Sequence, residues 1–390
     1  MQANLPSTIR KLNKELVLNI IKDKGPLSRT DIAKHSGITK ATVSDIVKAL
    51  IDEKLIFDEK DEADASKRGT RLHFSKNAAF GVAVDLGGTT IHLGLYNLAG
   101  ECMMEKTVST YRLASSREFL SQMADDIGAF IAQSGQPAER LAFISIATPG
   151  IVDPIAGIVL EGSPNLPEWT NVPLAQFFHE RFHVPVTIEN DVRSALVGEM
   201  YAGALRHLNS AVLIGIGTGL GSAVLIDGKV IRGAKNAAGE IGYMLFRQPQ
   251  LYSPSAKGHF EKLCSGSGLE EAATALFHRP VTAKDVFRLA EQGDLQASYL
   301  VDQFEDQLAI GILNIIALLN PEKILLMGGV TPSLRLERLH RKIRLHTTDV
   351  TGVSIEISGM QHHSALQGIA ILGLNQAFPA LQFMQDKQLY

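Results

Sequence analysis

The chain has 390 residues, 45% of them hydrophobic and 20% charged, with a net charge of −3; this is the composition of a folded globular protein too long for one ordinary core, so two or three domains are expected. The longest strongly apolar run, Leu308–Leu319, is broken by Gly311 and Asn314 and falls short of the roughly 20 residues that cross a bilayer, while charges recur where a cleavable leader needs an apolar block. The reading is of a cytoplasmic chain without a membrane span, whose only thiols, Cys102 and Cys264, are expected to be buried and form neither a disulfide framework nor a C-x-x-C zinc pair.

Residues 1–77 hold 15 Lys and Arg against 11 Asp and Glu, an excess of four positive charges, so the remainder carries −7. So small an excess marks a solvated surface as readily as a nucleic-acid footprint, and its meaning depends on a motif. A first helix is predicted over Ile9–Lys24, with Leu12, Leu16, Val17, Ile20 and Ile21 on one face. In LSRTDIAKHSG, Ser28 and Asp31 form a capping-box pattern that opens a short helix ended by Gly37. Thr39 then caps a helix in which Val43, Ile46, Val47, Leu50 and Ile51 make one apolar stripe, while Ala41, Ser44, Asp45 and Lys48 point away from it.

A helix packed on one side and carrying short polar side chains on the other fits a major groove about 12 Å wide. The candidate DNA contacts are Arg29, Thr39, Lys40, Ala41, Thr42, Ser44, Asp45 and Lys48. After Ile56 an acidic stretch leads into SKRGTRLHF, where a turn at Gly69 makes a hairpin wing with Lys67, Arg68 and Arg71 at its basic tip. The competing reading of these residues is a small helical protein-docking module.

From Phe80 two apolar runs flank the tight turn Asp85-Leu86-Gly87-Gly88-Thr89, and AVLIGIGTGLGSAVLIDGKVI repeats the plan about 130 residues later. Backbone N–H groups of such glycine turns approach phosphate oxygens without obstruction; Asp85 is placed to hold a metal-bound water and Thr89 a phosphate. A lone glycine hairpin is more often only a hairpin, and the second copy is what shifts the reading. Asn314 reads as a buried structural amide, and SALQGIAILGLNQAF as a helix returning to the first lobe.

The D-x-G-G-T loop, the ATPG-x-V-D-P segment from Ala147 to Pro154, the E-N-D turn from Glu189 to Asp191, the GTGLG loop and the GEIG box from Gly239 to Gly242 stand in this order. In that order they resemble the ROK family of repressors and sugar kinases, and with the helix-turn-helix the chain is similar to its xylose-repressor and N-acetylglucosamine-repressor branch. The resemblance implies a winged helix-turn-helix over 1–77 joined to an actin-like, ribonuclease H-like α/β sugar-kinase fold, with a first lobe over 78–195, a second over 196–363, and the helix 364–380 packed back on the first.

It implies sugar contacts from Asn190, Asp191, Glu240 and Glu261, with the Gly150 backbone and the Ser163 hydroxyl behind them. These are the donor and acceptor types that hydroxyls need, since each buried hydroxyl left unpaired costs about 1–3 kcal/mol. In the family's kinases the residue matching Asp191 is the general base, and the nucleotide lies on loops matching Asp85, Gly87, Gly88, Thr89, Gly217, Thr218, Gly219, Gly328 and Gly329, with ATP and Mg as the group they would take.

Two departures stand out. Tyr243 occupies the position after GEIG where the kinases have a zinc-binding histidine, and PQLYSPSAKGHF replaces their cysteine cluster, leaving His259 alone. No zinc is expected, no cofactor is required, and Tyr243 is a candidate sugar contact. The function implied is a sugar-responsive repressor of a carbohydrate-utilisation operon, whose partners are operator DNA, a sugar effector and a second copy in a homodimer or tetramer. The alternatives are an ATP-dependent sugar kinase and a DNA-bound scaffold without ligand.

Overall fold

A computed structural model describes residues 6–60, 70–163, 165–246, 257–346 and 352–384 of the protein. Three helices open the chain, α1 (Pro6–Lys24), α2 (Arg29–Ser36) and α3 (Lys40–Asp52). They are followed by strands β1 (Ile56–Lys60) and β2 (Thr70–Phe74), which pair antiparallel from Ile56 opposite Phe74 to Lys60 opposite Thr70. The Ser28 side chain accepts from the Asp31 N–H and Gly37 takes φ 69°, the left-handed stop that a glycine adopts without strain. Thr39 caps α3 through the Thr42 N–H. Ile32, Val43, Ile46, Val47 and Leu50 are buried between the helices.

The α1 face differs from the one its periodicity predicts. Leu12 and Leu16 are 50% and 43% exposed, and the buried side chains are Val17, Leu18, Asn19, Ile20 and Ile21. The C-terminal half of the helix packs on α2, α3 and β2 and also meets a segment that lies far away in the sequence and is described below.

The rest of the chain is a duplicated α/β unit. The first sheet contains β3 (Phe80–Leu86), β4 (Thr90–Asn97), β5 (Cys102–Ser109), β6 (Leu141–Thr148) and β9 (Val186–Asn190) in the order β5-β4-β3-β6-β9. Between them lie α4 (Ser116–Gln133), the small hairpin β7 (Ile151–Asp153) and β8 (Ile158–Glu161), and α5 (Leu174–Phe182); α6 (Asp191–Tyr201) follows β9. The second sheet contains β10 (Ala211–Ile216), β11 (Leu220–Ile226), β12 (Lys229–Ile231), β13 (Lys323–Met327) and β14 (Ser354–Ile357), ordered β12-β11-β10-β13-β14. In each sheet the first three strands pair antiparallel and the last two join in parallel. The repeat visible in the two glycine hairpins therefore extends to the topology of both lobes.

Helices α7 (His259–Cys264), α8 (Gly266–Phe277), α9 (Ala283–Glu291), α10 (Leu295–Leu319) and α11 (Leu336–Arg344) belong to the second lobe, and α12 (His363–Ala377) returns to lie on β3 and β6 of the first. Small residues set its depth. A Cβ built at Gly368 would stand 1.7 Å from the Ser194 carbonyl oxygen, and one at Gly198 would stand 2.0 Å from that of Ser364, so α6 and α12 cross backbone to backbone through glycines on both sides.

Two expectations fail on exposure. Asn314 lies on the open face of α10, opposite the buried Leu308, Ile312, Ile315 and Ile316. Cys102 is exposed on β5, and only Cys264 is buried. Among the described residues no helix is long and apolar enough to cross a membrane.

Candidate functional site

The outward face of α3 carries Lys40, Ala41, Ser44, Asp45 and Lys48 in solvent, with Thr42 half-buried beside them. The Thr39 and Thr42 hydroxyls lie 2.9 Å apart, and the Ser44 hydroxyl donates to the Lys40 carbonyl 2.9 Å away. Arg29 is half-buried at the start of α2 and Arg71 is exposed on β2. Lys67 and Arg68, which the sequence assigns to the tip of a wing, lie outside the described residues. The result is a small, polar, mixed-charge face on a helix whose other side is sealed by Val43, Ile46, Val47 and Leu50.

The second constellation lies where the two sheets face each other. The turn at Asn190 and Asp191 is both the end of β9 and the cap of α6: the Asn190 side chain accepts from the Arg193 N–H at 3.0 Å and donates to the Gly150 carbonyl at 3.0 Å. Gly150 has φ 106°, and a Cβ there would stand 2.2 Å from the Glu161 carbonyl oxygen; the glycine lets the ATPG segment reach the asparagine. Asp191 accepts from the Val192 N–H at 2.9 Å and from Asn190 at 3.0 Å. From the other lobe, Glu240 precedes a single turn of 3₁₀ helix that contains Tyr243, and Glu261 lies on α7. The Ser163 hydroxyl accepts from the Asn165 N–H at 3.3 Å.

These carboxyls sit close enough to affect one another. Burial holds Asp191 above the usual carboxylate range against the hydrogen bonds it accepts. Burial raises Glu240 as well, opposed by Arg193 and reinforced by Asp191, Glu261 and Glu161. Glu261 is raised by burial and held back by Lys257. Asp85 is pushed up to about 8, by desolvation first and then by Asp191. The phenol of Tyr243 is 55% exposed and also raised, by burial and then by Glu161, Glu240 and Glu261. The Asn190 amide donates and accepts and the carboxyls accept, the kinds of partner that sugar hydroxyls need.

The glycine loops meet over this space. A Cβ on Gly88 would have the Asn165 side chain at 3.6 Å and the Thr218 hydroxyl at 4.0 Å, so the turn containing Asp85, Gly87, Gly88 and Thr89 faces the turn Gly217-Thr218-Gly219 across the lobes. Gly219 in turn lies beside the Glu261 carboxylate, 3.2 Å from its own Cβ position. Gly328, at φ 105°, packs on the Ile216 carbonyl, with Gly329 exposed next to it.

Beneath the cleft is a charge network that the motif reading did not assign. Glu189, 1% exposed, accepts from Arg193 Nε at 2.8 Å on Oε1, and its Oε2 takes Arg232 of the second lobe at 2.5 Å. Arg193 Nη1 donates to the Asn236 carbonyl at 3.0 Å, so the E-N-D turn is tied to the second lobe by side chain and backbone. Arg193 stands four residues after Glu189, a spacing that signals a shared helix face. Arg232 has no such signal, nor do Glu161 and Asn165.

The residues present do not fit a structural zinc. His259 has Phe246 beside its ring, Cys264 donates to the Phe304 carbonyl, and residues 247–256 contain neither Cys nor His. Among the described residues no group of three His, Cys, Asp or Glu could hold a metal.

Comparison with known proteins places both parts. A model described as the ROK family matches residues 81–376, and one described as winged helix-turn-helix DNA-binding matches 11–56. The chain is 27% identical to the xylose repressor of Caldicellulosiruptor bescii over 379 residues, covering 92% of this chain and 94% of that one. It resembles a solved ROK family transcriptional regulator, a homolog of the E. coli MLC protein, with TM-score 0.77 and 26% identity over 95% of this chain and 96% of the other. It also resembles a ROK hexokinase from Thermus thermophilus, with TM-score 0.65 and 26% identity, but over 76% of this chain and 98% of the enzyme.

Proposed function

We propose a function from one premise, that this chain belongs to the ROK family and carries a winged helix-turn-helix ahead of it: it is a sugar-responsive transcriptional repressor. In this reading α3 enters the major groove of an operator, and a sugar binds between the lobes at Asn190, Asp191, Glu240 and Glu261, with Tyr243 at the rim. The protein works in the cytoplasm as a homodimer, because two-fold operators present half-sites about one helical turn apart.

One observation carries the reading. A helix with a small polar face in solvent and a cleft lined by carboxyls from both lobes belong to one chain, whose reader and first-lobe helices share a single hydrophobic cluster from Val17 through Leu50 to Leu196 and Leu381. Similarity to xylose repressors makes D-xylose the first sugar to try. A sugar shifts the operator equilibrium only by binding the two states unequally, and a coupling of about 1–3 kcal/mol gives roughly 5- to 150-fold. Fluorescence anisotropy of an operator duplex, titrated with D-xylose and then with a panel of hexoses, amino sugars and their phosphates, tests this. Indifference of the DNA affinity to every sugar would end the reading.

The facing of Gly88 and Thr218 supports a second reading, an ATP-dependent sugar kinase. There the two loops and Gly328-Gly329 would hold ATP with Mg, which would supply the transferable phosphoryl group, while Asp191 would take the proton from the sugar hydroxyl. ADP release with the same sugar panel separates the two readings. No zinc belongs to either.

A further inference from the structure

We infer that α6 is the rod through which an occupied cleft moves the DNA reader, and that residues 378–384, beyond α12, are the joint that fastens the rod's far end to α1. This inference rests on the sugar-responsive reading above and names the route by which that regulation passes.

At its first turn α6 carries Asn190 and Asp191, the residues proposed to hold the sugar. Its 11 residues span about 16 Å, and from Arg193 to Met200 every residue is buried. The glycine crossing seats α6 and α12 backbone to backbone, so the two move as one packed pair and a displacement at the cap is delivered at the other end. That end is Tyr201. Its hydroxyl donates to the Ala99 carbonyl at 3.3 Å, and its ring stands edge-on to Phe383, with centroids 6.2 Å apart at 64°.

Phe383 is shared with the reader. The Lys22 ammonium lies 4.7 Å over its ring and also donates to the Gln382 carbonyl. Asn19, one turn earlier on α1, clasps the segment from both sides, donating to the Ala380 carbonyl at 2.8 Å and accepting from the Gln382 N–H at 2.8 Å. Leu381, between those residues, is buried in the cluster that holds Val17, Leu18 and Ile21. A buried asparagine on a helix face otherwise lined with apolar residues is costly unless fully paired; here the backbone of the distant segment pairs it, together with the Glu15 carbonyl of α1 at 2.8 Å. A groove lined by Lys54, Ser75, Asn77, Glu139 and Arg140 also lies between the reader and the first lobe, and next to it the Lys76 carbonyl accepts from the Leu98 N–H at 2.8 Å while the Lys76 ammonium pairs with Glu101 at 2.9 Å. The reader thus meets the rest of the chain at two places, and the one at Asn19 and Lys22 is the one that the far end of α6 reaches, through Phe383.

The test uses the full chain, wild type and Asn19→Ala, with D-xylose and a duplex selected from random sequence by the wild-type protein. Sugar occupancy is read from the emission of Trp169, the only tryptophan, and DNA affinity from anisotropy. The wild type should lose about tenfold in DNA affinity when D-xylose is bound. The variant should keep its D-xylose dissociation constant and its sugar-free DNA affinity within about threefold, while D-xylose changes that affinity less than about twofold.

An Asn19→Ala protein that responds as strongly as the wild type overturns the route and leaves the repressor reading standing. Should D-xylose not act, the sugar of the panel that releases DNA takes its place, and a wild type whose DNA affinity no sugar changes removes the reading and the route together. Phe383→Leu, which keeps apolar cover and loses the ring shared by Tyr201 and Lys22, decides the matter if Asn19→Ala does not fold. Amide exchange in α1 adds a signature that general destabilisation would not produce: D-xylose should change it in the wild type and not in Asn19→Ala, at equal occupancy.

Discussion

Replacing Arg193 with leucine isolates the buried network under the cleft. The guanidinium is 3% exposed and gives Nε to Glu189, itself 1% exposed, and Nη1 to the Asn236 carbonyl. Removing one member of a buried pair costs about 3–5 kcal/mol, chiefly because the remaining charge stays buried without compensation. Arg232 continues to hold the second Glu189 oxygen, which places the expected loss near the lower limit, about 3 kcal/mol. Trp169 supplies the assay. It is 2% exposed, donates to the Thr148 hydroxyl at 3.0 Å and stands edge-on to Phe119, so its emission during urea unfolding reports the lobe that contains Glu189. With a slope of about 2 kcal/mol per molar urea, the midpoint should fall by about 1.5 M. A fall under about 0.3 M would show that water reaches Glu189 in the variant, and would refute the view of the network as a sealed tie between the lobes.

The other expectations concern single groups. Asp85 has its folded-state pKa raised to about 8 from an ordinary 3.8, so the folded protein holds a proton there that the unfolded chain has given up. Its contribution is complete below the unfolded value and is lost as pH rises through about 8. Asp85→Asn should therefore flatten the decline in stability between pH 5 and pH 9 and stabilise the protein by roughly 2 kcal/mol or more at the upper end, as measured by thermal unfolding at a series of pH values. Gly368→Ala should cost about 3 kcal/mol by the same urea assay, because the added methyl meets the Ser194 carbonyl. Glu240→Ala should weaken sugar binding by about 1–3 kcal/mol while sugar-free DNA affinity is unchanged, read by calorimetry and anisotropy together. Lys40→Ala should weaken binding to all duplexes alike and reduce the slope of log affinity against log salt by about one.

Much of this architecture is legible in the residues because each feature depends on a local rule. The Ser28 cap, the Gly37 stop and the Thr39 cap each need one side chain and one nearby N–H, and all three appear where the pattern predicts them. The repeated glycine hairpin implies duplicated sheets for a similar reason, since each hairpin sits at the same place in the strand order of its lobe.

What the pattern misses depends on partners distant in sequence. Periodicity assigns a stripe to α1 without saying what lies against it; residues 378–384 cover Asn19 and Lys22, and the helix overhangs its bundle at Leu12 and Leu16. Asn314 was drawn into the core by its apolar neighbours, although the stripe at Leu308, Ile312, Ile315 and Ile316 places it on the other side. In the cleft, motif order names the Asn190 turn and Glu240 as candidates, whereas Arg232 reaches Glu189 from 43 residues away with no signature of its own.

The return of α12 to the first lobe also bears on how the protein is made. The helix that completes β3 and β6 lies beyond the entire second lobe in the polypeptide, so a ribosome has already released the reader and the first sheet when their covering piece is still untranslated. A nascent first lobe therefore waits with an apolar face open, the situation in which chaperones bind. Fragments ending short of His363 would carry the reader without its fastening at Asn19, on a first lobe whose face is never covered.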